Sequence, residues 1–465
     1  MLRLFGGSLI FAIRTNPFLN HQFYFMTITL SYDYALWLFT TLSKFIPKKP
    51  AIVIIENCVF EIQPDMVVVR ATNIYDEVRI KLPFLEYKHD YSGTTSFLVP
   101  VKELLTMLKD CKGASSIKLS PLQDRLNIDI DGVQQSVYME NVSEFPSKLK
   151  FDSESIAAYK VDKEDLYDAV DKCYPFTADD ELRPAMEGIN FEFYAEDNSL
   201  RVAATNAHIL CVNDYPAQVT KFDEKSSKTR VVKVISQEYE DAEGNKKMFD
   251  TKVESNSFIS FILNKEMSAF LSYLFLKTKS KNKTLPVSIT QYREGTLDML
   301  DIMYSTQSYG TIRIISRCIE SRFPEYPAVI PDKDDVNVVV TVKSDMLKDA
   351  IKKVKSAAPK STGKVVFTFT EHFVELRAED IDFCKSAVFK FQPIAANFRS
   401  EVKGKTEYKL GQPFRIAANY KYMLTLLDNF EEVDLYLFTE SKALMFYDRY
   451  DNTSMALSMP LMLSN

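Results

Sequence analysis

Three stretches of this chain carry one pattern, an alternating apolar run, a break, and a second run that ends in a short polar turn. The first is Cys58-Val59-Phe60-Glu61-Ile62 with Val68-Val69-Arg70-Ala71-Thr72-Asn73. The second is Gly188-Ile189-Asn190-Phe191-Glu192-Phe193 with the run from Leu200 to Cys211. The third is Val365-Val366-Phe367-Thr368-Phe369 with Glu375-Leu376-Arg377-Ala378-Glu379-Asp380. Alternation with period two marks strands, and each pair marks a β-hairpin. A unit present three times must use one architecture for all copies and serve a task that three copies can share.

The neighbours of these hairpins repeat too. A strand at Thr27–Leu30 and a helix at Tyr32–Ile46 precede the first; a strand at Ser96–Val99, a helix at Val101–Cys111 and three strands up to Met139 follow it. The second module repeats this order with helices at Lys163–Tyr174 and Lys265–Lys277, and the third with helices at Ser344–Ala357 and Tyr420–Phe430. Each module reads as two β-α-β-β halves, an α+β class. The expected domains are 26–152, 153–335 and 336–465, with 1–25 an apolar extension outside the fold. Ala71 and Ala204 are about 133 residues apart, Ala204 and Ala378 about 174. The excess predicts a surface hairpin inserted within about 220–257, with Glu243-Gly244-Asn245 at its tip, dispensable for assembly.

Several chemistries are disfavoured. Glycine is scarce, with 12 in 465 residues, against Gly-rich loops around a nucleotide. Gly404-Lys405-Thr406 ends like a phosphate loop, but Arg399 stands where the motif needs glycine. The six cysteines form no CxxC pair and read as buried thiols of a reducing compartment; with four histidines they predict no metal site. The acidic runs at Asp179-Asp180-Glu181 and around Asp332 read as solvated loops, and His208 as a structural or partner-contacting residue. No catalytic constellation and no cofactor are expected. Net charge is −6, so any nucleic-acid surface must be local. Lysines beside the helices (Lys44, Lys102, Lys109, Lys163, Lys172, Lys348 and others) recur in all three modules and predict one electropositive lining for phosphates.

Three motifs in order carry a resemblance: Arg183 to Ile189 with Val202 to Leu210; Arg322-Phe323-Pro324-Glu325-Tyr326 with Val329-Ile330-Pro331; and the ending Met459-Pro460-Leu461-Met462-Leu463. From about Met26 to Leu463 the chain resembles the bacterial DNA polymerase III beta sliding clamps. The resemblance implies a non-enzymatic, cytoplasmic homodimeric ring of three clamp domains per chain. Helices would line the lumen around double-stranded DNA, sheets would form the outside, and no membrane would be involved. DNA polymerase and clamp loader would insert a short linear peptide between the second and third domains. Carried over, that cleft would use Met186, Thr205, Ala207, His208, Ile209, Leu210, Pro324, Ala328, Val329, Leu457, Ser458, Met459, Pro460, Leu461, Met462 and Leu463. Lys49 and Arg183 would fall at DNA-contacting positions, and with the basic lining the candidate DNA contacts become Lys48, Lys49, Arg183, Lys277, Lys279, Lys352, Lys353 and Lys355. The family usually has Gly-His-Arg where Ala207-His208-Ile209 stands, and often Arg at the positions of Ala328 and Met462, which predicts a more apolar cleft. Two other classes remain open on residues alone: an enzyme on repeated α+β units, which turnover would reveal, and a β-rich structural or interaction protein, which absence of DNA binding would favour.

Overall fold

The computed structural model describes residues 26–83, 86–88, 94–240, 246–278, 284–399, 412–451 and 453–463. The segment 1–25, the hairpin tip Glu243-Gly244-Asn245, Lys279, Gly404-Lys405-Thr406 and Ser464-Asn465 lie outside the described residues.

The first module runs β1 (Thr27–Ser31), α1 (Tyr32–Phe45), β2 (Asn57–Gln63), β3 (Met66–Thr72), β4 (Glu77–Lys81), β5 (Glu86–Lys88), β6 (Thr95–Pro100), α2 (Val101–Asp110), β7 (Ser116–Leu122), β8 (Arg125–Ile130) and β9 (Val133–Tyr138). The second runs β10 (Ser155–Asp162), α3 (Lys163–Cys173), β11 (Gly188–Tyr194), β12 (Ser199–Thr205), β13 (Ile209–Pro216), β14 (Gln218–Phe222), β15 (Lys228–Glu240), β16 (Lys246–Asn264), α4 (Lys265–Lys277), β17 (Pro286–Glu294), β18 (Leu297–Thr306) and β19 (Gly310–Arg317). The third runs β20 (Val338–Lys343), α5 (Ser344–Val354), β21 (Lys364–Phe369), β22 (Val374–Asp380), β23 (Lys385–Phe391), β24 (Ala395–Phe398), β25 (Phe414–Asn419), α6 (Tyr420–Leu427), β26 (Glu432–Leu437), β27 (Leu444–Asp448) and β28 (Ser454–Ser458).

Each helix leaves a strand without a loop, and polar residues at most of these corners explain how. Ser31, Asp162, Asn264 and Asn419 end their strands and accept hydrogen bonds from first-turn N–H groups, of Tyr34, Glu164, Met267 and Lys421. One face of each helix is then buried; in α5 it is Leu347, Ala350, Ile351 and Val354, the spacing of a half-buried helix. Two helices end earlier than their sequence suggests. The α5 segment turns 3-10 at Lys355–Ala357, and α6 stops at Leu427.

The halves contain one strand more than the sequence pattern indicates. After each hairpin a third strand follows: β4, β13 and β23. The run from Leu200 to Cys211 is therefore not one strand; it turns at Asn206–His208 and returns as β13. These third strands carry the architecture. In the nine-stranded sheet, β4 pairs with β19, register Arg79 to Arg313, and joins the first module to the second. In the ten-stranded sheet, β13 pairs with β28, register Cys211 to Ala456, and joins the second to the third. A five-stranded sheet ends in β9 and a four-stranded sheet ends in β23.

The helices follow the same path. Pairs α1–α2, α3–α4 and α5–α6 pack within modules, and α1 meets α4 across the first junction, with Phe45 and Phe270 rings 5.0 Å apart. Across the second, Asn429 beyond α6 donates to the Lys172 carbonyl of α3 at 3.2 Å. At both junctions the first half of one module meets the second half of the next. Asp76 locks the first junction: its buried carboxylate accepts from Ser316 Oγ at 2.8 Å and from the Arg317 amide at 3.0 Å.

The inserted hairpin is present as β15 and β16, but its base is not a loose excursion. Residues Phe258–Asn264 of β16 pair with β11, and β15 pairs with the preceding residues of β16, meeting that stretch at Lys228–Phe258. Residues 218–222, inside or beside the expected insertion, form β14 and cover β10.

Candidate functional site

Both links between modules fold back over the outer face of a sheet. In the first, Phe145 packs on Val59 and Leu98 beneath the buried Arg70 guanidinium, which donates to Glu61, Glu77 and the Pro146 carbonyl. In the second, Tyr326 takes the equivalent place, packed with Ala203, Leu210, Val212 and Leu457. The two links thus each bury one aromatic on a sheet, Phe145 on the first module and Tyr326 between the second and third.

Beside the second link lies a cavity of about 220 Å³. Its walls are Met186, Thr205, Ala207, His208, Ile209, Leu210, Pro324, Glu325, Tyr326, Val329, Leu457 and Met459. Pockets for drug-sized ligands occupy about 300–1,000 Å³; this one suits one or two large apolar side chains. Three elements meet there. The β12–β13 turn is tied by Thr205 and Asn206: Thr205 Oγ1 donates to the Ile209 carbonyl at 2.7 Å, and Asn206 Oδ1 accepts from the His208 and Ile209 amides, both at 3.0 Å. This holds Ala207 in the left-handed region at φ +73°. The chain end is tied by the Met459 amide to the His208 carbonyl at 2.8 Å, and by the Leu461 amide to Ala417 at 2.7 Å. His208 stacks on Tyr422 of α6, ring centres 5.4 Å apart.

The other residues expected in the cleft stand outside its walls. In β28 alternate residues face opposite sides, so Leu457 and Met459 face the cavity while Ser458 is buried away from it. Ala328 is exposed beyond Val329, and Pro460, Leu461, Met462 and Leu463 run on toward β25, with Met462 90% exposed. Glu325 and Tyr326 line the cavity without having been picked out, although both sit in the Arg-Phe-Pro-Glu-Tyr motif.

Tyr326 also closes a buried polar network. Its hydroxyl donates to Glu192 Oε2 at 2.9 Å, as does that of Tyr194, and Arg230 of β15 donates to both Glu192 oxygens at 2.6 and 3.0 Å. Glu192 is 2% exposed and needs these donors. Burial, then the Glu192 charge, raises both tyrosine pKa values above their ordinary value.

The helical face is less uniformly basic than the lysine count suggests. Lys163 is not on it: buried, it donates to the Phe275 and Thr278 carbonyls at 3.0 and 3.2 Å. The outward residues of α3 are Glu164, Asp165, Asp168 and Asp171, and Lys172 is paired with Asp168 at 2.8 Å. Burial, then Asp162, Asp168 and Glu164, raises the Asp165 pKa. Lys48, Lys49, Lys277 and Lys355 are exposed. Lys352 is 3.4 Å from Asp349, and Lys353 lies 3.9 Å from the ring centre of Phe389 on β23. Arg183 is bonded to Asp180 at 2.7 Å, which lowers the Asp180 pKa.

Similar architecture occurs in solved structures. The beta subunit of DNA polymerase III from Pseudomonas aeruginosa matches with a TM-score of 0.72 at 15% identity, over 94% of this chain and 100% of that one. The fold here is that of a DNA sliding clamp. The beta subunit from Thermotoga maritima matches with a TM-score of 0.69 at 19% identity, over 94% and 100% of the two chains. The sliding clamp from Bacillus subtilis matches with 0.70 at 13%, over 95% and 100%. No family model and no curated protein matches the sequence. The clamp fold is thus carried here by a sequence only 15%, 19% and 13% identical to those three chains.

Proposed function

We propose that this chain is a non-catalytic DNA sliding clamp: a head-to-tail homodimeric ring of domains 26–152, 153–335 and 336–465 that tethers a DNA polymerase to duplex DNA. The observation that carries the reading is the pattern of edge strands. Two junctions within the chain pair a third strand with a last strand, β4 with β19 and β13 with β28. The third such combination is not made among the described residues: β23 of the third module and β9 of the first each end their sheet. An exposed edge invites pairing with another chain. Both edges also expose apolar groups that an interface would cover: Val133 and Tyr138 on β9, Val388 on β23, and Ile381 and Phe383 in the turn before it. A second copy satisfies both edges at once through a two-fold axis and closes the ring.

The cleft beside Tyr326 is the proposed docking site for a short linear segment of the polymerase or clamp loader, with one or two large apolar anchors in the cavity. Affinity should be roughly micromolar, about −8 kcal/mol. Light scattering of the purified chain tests the ring. A dimer is expected at micromolar concentration, and Phe383→Asp combined with Val388→Asp should convert it to a folded monomer. A wild-type chain that is monomeric at every salt concentration would overturn the reading.

A further inference from the structure

A second cavity, of about 400 Å³, adjoins the cleft on the far side of the link, and Pro324 and Glu325 line both. Its floor is the outer face of the ten-stranded sheet at β11 and β16; its remaining wall is the base of the inserted hairpin, Lys228–Arg230. The charges in it are unevenly satisfied. Arg230 is bound to Glu192, and Arg322 to Glu325 at 2.6 Å. The Lys228 ammonium donates to Ser260 Oγ at 2.9 Å and has no carboxylate partner among the described residues. Lys228 is exposed at the rim of the recess; the surrounding protein, and then Arg293, lowers its pKa, while Glu192 and Asp298 act in the opposite direction. A cationic group held beside other cations in a recess favours an incoming anion.

We propose that this recess is a subsite for an acidic side chain of the same partner segment whose apolar anchors fill the cleft. The proposal rests on the cleft being a peptide site. It gives the insertion a role: the hairpin base supplies Lys228, which reads a carboxylate, and Arg230, which fixes Glu192 and Tyr326 in the wall between the two cavities. A carboxylate beside Lys228 would restore its affinity for a proton, so the acidic contribution should fade as pH rises toward the lysine range, sooner than for an unperturbed lysine.

Calorimetric titration of the full-length protein tests this with peptides carrying a Leu-Phe anchor pair and an Asp-Asp pair before or after it, and with their Asn-Asn counterparts. One Asp-Asp peptide should bind about tenfold more tightly than its Asn-Asn counterpart at low salt. Lys228→Gln should remove that advantage and leave the Asn-Asn affinity unchanged, and Lys228→Arg should restore most of it. Equal binding of Asp-Asp and Asn-Asn peptides to the wild type would overturn the acidic subsite and leave the cleft intact. Failure of every peptide to bind would overturn the cleft and the subsite together. Loss of Asn-Asn binding in Lys228→Gln would show a structural lysine and also reject the subsite.

Discussion

The turn at Thr205-Asn206-Ala207 recurs in the first module at Thr72-Asn73-Ile74 with the same bonds. Thr72 Oγ1 donates to the Asp76 carbonyl at 2.8 Å, and Asn73 Oδ1 accepts from the Tyr75 and Asp76 amides. In both, the third residue sits at positive φ, +84° at Ile74 and +73° at Ala207. Side chains with a Cβ are strained there, so the Gly that the clamp family usually has at the Ala207 position has a physical reason. Ala207→Gly should stabilise the chain by about 0.5–1 kcal/mol in urea unfolding, net of the extra unfolded-state entropy of glycine; a destabilised variant would contradict this. Removing Arg230 works the other way. Arg230→Met leaves the Glu192 carboxylate buried without its guanidinium and should cost about 3 kcal/mol, a fall in the urea midpoint that unchanged stability would refute. At this scale much of the cleft was legible: Met186, His208, Leu210, Val329 and Met459 lie in motifs with recognisable order. Ser458 was misplaced because motif membership ignores the period of a strand, and Lys163 because a lysine on a helix reads as exposed until its buried carbonyl partners are known.

The elements legible in the sequence were those with strong periodicity, the helices and the first two strands of each hairpin. The third strands were missed for three different reasons. Glu77–Lys81 is short and charged, Ile209–Pro216 merges with the run before it, and Lys385–Phe391 alternates with lysine and serine. Two of them, β4 and β13, join modules, so long-range pairing, not local preference, decides those two, while β23 ends its sheet. The inserted hairpin divides similarly. Replacing residues 232–254 by a short linker should leave melting and dimerisation nearly unchanged, because β15 beyond Arg230 pairs only with β16. Deleting 220–257 entire should destabilise or unfold the second module, because it removes Arg230, part of β14, and Ser257, next to the Phe258–Asn264 stretch that pairs with β11. Equal melting of the two deletions would show that the base is not integral. Truncation from Met459 to Asn465 removes two backbone hydrogen bonds and one cavity wall. It should abolish binding of apolar-anchored peptides while the chain stays a folded dimer; calorimetry and light scattering on the same sample separate the two effects.

For the whole molecule, two sheets pass without interruption across the junctions, and six α-helices among the described residues lie along them in the order α2–α1–α4–α3–α6–α5. Closing the sequence of junctions would bring α5 to α2 of a second copy as β23 meets β9. The acidic outer face of α3 makes such a lumen mixed rather than uniformly positive. That suits a ring that slides: topological enclosure would hold DNA, and the lysines would need to supply only weak, salt-screened attraction. Replacing Lys352, Lys353 and Lys355 with Ala should therefore reduce retention on DNA at low salt without lowering the melting temperature; unchanged retention would place these lysines away from the duplex. Enclosure of the duplex would make retention depend on whether the DNA has ends. The dimer is assembled around nicked circular DNA by dilution from a dissociating salt concentration, and its retention is followed before and after a single cut by a restriction enzyme. Retention that resists high salt on the circle and is lost soon after linearisation is the expected result; equal release from circular and linear DNA, or persistence on both, would contradict it.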